Sequence, residues 1–106
     1  MKTNPLLFNQ QEWQSPQPGL RFKIFRDGLK QFRLVEFSTE FVELDWCENG
    51  HDGFVLEGEL EVDFAGEVVR FPAGSALTIP PGKAHAHKAR AVTPMVRLFL
   101  VEEISI

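Results

Sequence analysis

A chain of 106 residues, 43% of them hydrophobic, has material for one folded core and none for a second, so a single domain is expected. A net charge of −4 supplies no basic face for phosphates, which argues against a nucleic-acid partner. No apolar run nears the roughly 20 residues that span a bilayer, residues 1–17 lack the parts of a signal peptide, and the lone cysteine, Cys47, forms no internal disulfide; together these predict a cytoplasmic protein with no membrane partner.

Residues 1–19 carry three of the seven prolines among Asn and Gln, show no period, and are read as an N-terminal arm; residues 20–106 are read as the folded domain. Strand patterns follow at 20–26 and, after the turn Asp27-Gly28, at 31–37 and 41–47. Residues 53–56, 59–64 and 67–71 give three strands joined at Glu57-Gly58 and Ala65-Gly66, a meander of hairpins. A strand at 76–79 runs into Pro80-Pro81-Gly82, another is expected at 84–88, and 95–103 closes the chain with a mostly apolar strand. No stretch reads as a helix of three turns.

Short strands at this spacing predict an all-β fold, a sandwich or a closed barrel, both of which limit exposed sheet edges. Periodicity does not choose between them. Ten phenylalanines and no tyrosine predict a bulky apolar interior with few hydroxyls to satisfy.

Two segments carry more information. In Gly74-Ser75-Ala76-Leu77-Thr78-Ile79-Pro80-Pro81-Gly82-Lys83-Ala84-His85, Gly74 permits a tight turn into a strand, and Pro80 ends the ladder because it lacks an N–H. Gly82 then turns the chain back and His85 is expected to open the returning strand. The other segment runs from Asp45-Trp46-Cys47 through His51 to Phe54-Val55-Leu56-Glu57-Gly58-Glu59-Leu60. The first of these fits the second cupin motif, and the tail of the other is similar to the end of the first cupin motif. The chain therefore resembles a small single-domain cupin, which implies a double-stranded β-helix, the jelly-roll barrel.

The resemblance also locates a metal site, and the head of the first motif departs from it. Where the family carries a glutamate ligand this chain has His51, and the two earlier ligand positions hold Asp45 and Cys47. The candidate ligands are thus Cys47, His51 and His85, with Asp45 and His87 in addition. His87 shares a strand face with His85, and Asp45 near the rim is a ligand or an acceptor for a ligating imidazole. Thiolate with imidazole suits a divalent ion such as zinc, and also iron, nickel or copper. The alternative is a lost metal site in which Cys47 is an ordinary small buried residue and the histidines are held by hydrogen bonds. All three histidines of the chain fall on or beside ligand positions, which favours the metal.

Arg33, Glu43 and Arg97 interrupt apolar strands and line the cavity if they point inward, whereas Glu57, Glu59 and Glu61 alternate with Leu60 and Val62 and read as a wet face. Cupins include dioxygenases, isomerases and lyases as well as small-molecule receptors. No acid–base pair stands out by spacing, so a module binding a small-molecule ligand is expected, with a small metal-dependent enzyme as the alternative. Sugar-nucleotide epimerases of this barrel use a tyrosine acid, and none is present. The apolar ending at 96–101 and the sheet edges suggest a homodimer.

Overall fold

The computed structural model describes residues 4–103. Strict alternation organises the larger sheet around β9 (Met95–Glu103), whose residues Val96, Leu98, Leu100 and Glu102 are buried while those between them are more open. β9 pairs with β3 (Lys30–Ser38) on one side and β4 (His51–Glu57) on the other. The six-stranded antiparallel sheet is completed by β2 (Leu20–Asp27) and β1 (Gln14–Gln17) beyond β3, and by β7 (Ala76–Ile79) beyond β4. A three-stranded sheet of β6 (Val68–Pro72), β5 (Glu59–Asp63) and β8 (Lys88–Ala91) closes over it. The inward faces of both sheets form one core, with Val35, Val55, Val62 and Val96 fully buried at its centre. The expected all-β jelly-roll architecture is the one observed, and among the described residues no helix is long and apolar enough to cross a membrane.

Two expected strands differ. Residues 41–47 keep a partial strand-like facing, with Phe41 buried and Val42 and Leu44 exposed, but form no ladder. The one pairing there is an isolated bridge between Cys47 and His87, just before β8 begins at Lys88. Residues 83–85 are a single 3-10 turn, with His85 N–H donating to the Gly82 carbonyl at 3.1 Å and Ala86 N–H to that of Lys83 at 3.2 Å. The turn takes up three residues after Gly82, so β8 begins at Lys88 rather than at residue 84.

The arm contributes to the sheet. β1 pairs with β2, Phe8 packs edge-on against Phe25 with ring centroids 5.1 Å apart, and Trp13 lies under the Arg21 guanidinium at 4.0 Å. These contacts cover the outer face of β2 and leave its inner face, with Leu20 and Phe22, for the core.

The turn between β4 and β5 has a strict requirement at Gly58. Its φ of +80° lies in the left-handed region, and a Cβ there would overlap the Met95 carbonyl oxygen and stand 2.6 Å from Thr93 Oγ1. Gly66, at φ +121°, faces open space. Gly58→Ala should therefore cost at least about 3 kcal/mol and lower Tm by more than about 10 °C, whereas Gly66→Ala costs only backbone strain of about 1 kcal/mol. Thermal unfolding of the two variants side by side checks this.

Candidate metal centre

Backbone hydrogen bonds fix the first two side chains of the site. Cys47 N–H donates to the His87 carbonyl at 2.8 Å and His87 N–H returns to the Cys47 carbonyl at 3.0 Å, which locks residues 47 and 87 side by side. A third bond, from Gly82 N–H to the Glu48 carbonyl at 2.9 Å, ties the same segment to the proline-rich turn. His51 opens β4 opposite Ile79 and faces inward from the larger sheet. Its ring meets that of His87 edge to face, centroids 5.1 Å apart, and its Nε2 lies 3.6 Å from Cys47 Sγ.

One donor atom from each of Cys47, His51 and His87 falls within 4.8 Å of the others. Two bonds of about 2.0 and 2.3 Å at a tetrahedral angle span about 3.5 Å, so the Sγ–Nε2 separation of 3.6 Å already has the width of a shared zinc-type ion. The second ring nitrogens are committed elsewhere. His87 Nδ1 donates to the His85 carbonyl at 3.0 Å, and His51 Nδ1 donates to the Glu102 carboxylate. Both rings are thereby oriented so that Nε2, once deprotonated, would face a shared cation, the arrangement found around metal-bound histidines.

Glu102 is 6% exposed and fully bonded. Besides His51, its carboxylate accepts from Arg33 Nε at 2.6 Å and Nη2 at 2.8 Å and from Gln31 Nε2 at 2.8 Å. Burial alone would raise its pKa, but the bonds from His51 and Arg33 hold it down to about 2. Burial likewise opposes charge on His51, yet Cys47 and Glu102 push it up to about 9. The Cys47 thiol is lowered to about 6 by its contacts with His51 and His87. Without a metal the centre is thus a thiolate beside an imidazolium; with one, the thiolate and the two imidazoles are its ligands.

The cluster opens on a cavity of about 460 Å³ lined by both sheets. With only three protein donors, an ion held there would keep room for a further ligand, as in catalytic zinc sites rather than closed structural ones. Of the residues singled out in the sequence, Cys47, His51 and His87 come together. His85 does not join them: it is exposed on the 3-10 turn and supplies only its carbonyl, since the turn makes residue 87 the one that enters the barrel. Asp45 is exposed and outside the cluster.

Arg33 and Glu43 line the cavity, while Arg97 lies on the outer face and pairs with Glu36 and Glu57. Glu102 and Gln31 were not singled out. The signal for Glu102 was its parity, because stepping by two from Val96 through Leu98 and Leu100 reaches it on an otherwise apolar inward face.

A family model described as "Cupin domain" matches residues 48–101. Similar solved structures include KdgF from Halomonas sp., 25% identical with a TM-score of 0.75 over 93% of this chain and 94% of that one. A cupin-2 domain protein from Shewanella frigidimarina NCIMB 400 is 24% identical, TM-score 0.63, over 77% and 78% of the two chains. An RmlC-like cupin from the same organism is 16% identical, TM-score 0.76, over 98% and 93%. No curated protein matches the chain in sequence.

The Glu102 network makes stability depend on pH in a defined direction. Its carboxyl pKa falls from 4.5 to about 2 on folding, so its contribution is complete above pH 4.5 and is lost as pH falls through about 2. That contribution is about 3 kcal/mol. Glu102→Gln should flatten the fall in urea midpoint between pH 4.5 and 2 relative to the parent protein, and equilibrium unfolding at a series of pH values measures it.

Proposed function

The chain belongs to the cupin-domain family, and from that premise we propose that it binds a small molecule in the barrel at a divalent ion held by Cys47, His51 and His87. The observation that carries this is the convergence of three soft-to-borderline donors within 4.8 Å of one another on the cavity wall. Thiolate with two imidazoles favours zinc, then iron, nickel or copper, over calcium or magnesium. The ion would supply Lewis acidity toward a carbonyl, a carboxylate or water. The chain's own part is to fix the two imidazoles through Glu102 and the His85 carbonyl and to shield the site between two sheets. The proposal includes a cytoplasmic setting, in which Cys47 stays reduced, and a homodimer, supported by Phe54 and Leu56 standing exposed on the outer sheet face.

A second function is favoured by a specific observation. Cys47, His51 and Glu102 stand in a row, thiol to imidazole to carboxylate, the order in which a nucleophile, its base and an orienting group are arranged. A metal-free centre would then make Cys47 a reactive thiolate, and the protein a small enzyme.

Elemental analysis of protein purified without a metal-affinity tag separates the two. Near-stoichiometric zinc or iron is expected, with affinity at least about tenfold lower in Cys47→Ala, His51→Ala and His87→Ala and unchanged in His85→Ala. Bound zinc should also slow alkylation of Cys47 by iodoacetamide. Failure of all divalent ions to bind, together with rapid alkylation near neutral pH, would establish the thiol instead.

A further inference from the structure

Apolar side chains form the larger part of the cavity wall. Its walls are built by Leu20, Val35, Leu60, Val62, Leu77 and Leu98 among other apolar side chains. Most of the polar side chains that reach it are bound to the protein itself, Glu103 and Asn49 excepted. Arg33 and Gln31 are engaged by Glu102, Glu43 accepts from Ala89 N–H at 2.8 Å, and the outer nitrogens of both histidines are committed. Among the described lining residues Asn49 alone has a side-chain amide without a hydrogen bond inside the protein, and no serine, threonine or tyrosine hydroxyl lines the space. A polyol filling the space would leave hydroxyls against the apolar walls, at a cost for each one unpaired.

Charge narrows the ligand further. Glu43, Glu102 and Glu103 line the cavity, and its single guanidinium, Arg33, is held bidentately by Glu102. A second negative group on a ligand would meet carboxylates and no free cation. The volume of about 460 Å³ lies toward the small end of ligand pockets.

We propose that the ligand is a small molecule with one coordinating head, at most singly negative, on an apolar body that fills the barrel. This rests on the metal-binding function proposed above, since the head is anchored at Cys47, His51 and His87. It separates the protein from cupins that would hold sugars or polyacids, for which the wall offers few partners.

Cobalt(II)-loaded protein provides the test, titrated calorimetrically with propionate, butyrate, pentanoate and hexanoate, and with glucuronate and citrate. The visible spectrum of the thiolate-bound cobalt reports whether the head coordinates. The expected result is affinity rising about fourfold per added methylene, a shift of the cobalt bands by each monoacid, and at least tenfold weaker binding of glucuronate and citrate. Affinity independent of chain length, tighter binding of glucuronate or citrate, or binding of none of the acids would overturn the proposal. If no thiolate–cobalt spectrum develops, the metal function fails on its own account. The same chain-length series on the metal-free protein then still decides whether the apolar wall selects the body.

Discussion

A carboxylate buried at the centre of a sheet is tolerated only when its charge is matched and its lone pairs are filled, and Glu102 imposes that condition on everything around it. It sits on β9, the strand shared by β3 and β4, so it can reach Arg33 and Gln31 on one side and His51 on the other. Removing one partner would leave the rest with an uncompensated buried charge. The same bonds fix the His51 ring and balance the charge of Arg33, so one residue both orients a candidate metal donor and neutralises the cavity's guanidinium.

The other half of the centre depends on irregular backbone. Cys47 and His87 come from segments that are not strands at those positions, and what holds them is a single bridge of two hydrogen bonds at 2.8 and 3.0 Å. Gly82, at φ +113°, lets the chain leave β7 and enter the 3-10 turn that presents the His85 carbonyl to His87 Nδ1. Rigid sheet thus supplies His51 and Glu102, and a tethered loop supplies the thiolate and the second imidazole.

Much of this was legible in the residues. Runs bounded by turn residues marked strands at 20–26, 31–37 and 95–103 that the structure contains, and on β9 every second residue from Val96 to Glu102 is a buried one. Gly58 and Gly82 likewise marked turns, both having φ in the left-handed region. The ligand set was legible only in part. A residue count along a motif assumes that spacing is uniform, and the 3-10 turn at Lys83–His85 shifts which histidine faces inward from 85 to 87. The network around Glu102 was hidden because its partners lie 51, 69 and 71 residues away in sequence, a separation at which only the pairing of β3, β9 and β4 reveals contact.

The replacement of a family carboxylate by His51 and of a histidine position by Cys47 has one electrostatic consequence that joins the site to its cavity. A thiolate is a strong donor of charge to a bound ion, and Cys47 lines the same cavity as Glu102, Glu43 and Glu103. An ion so supplied holds soft and borderline ligands well, while its own demand for further negative charge is reduced. A doubly negative ligand would gain less from the metal and still face the carboxylates. An apolar body, by contrast, gains from every wall it covers and asks nothing of the polar groups already bound to each other. On the proposed function, this single thiolate would move selectivity from the head of the ligand to its body, and the core residues that stabilise the barrel would be the ones that choose what it holds.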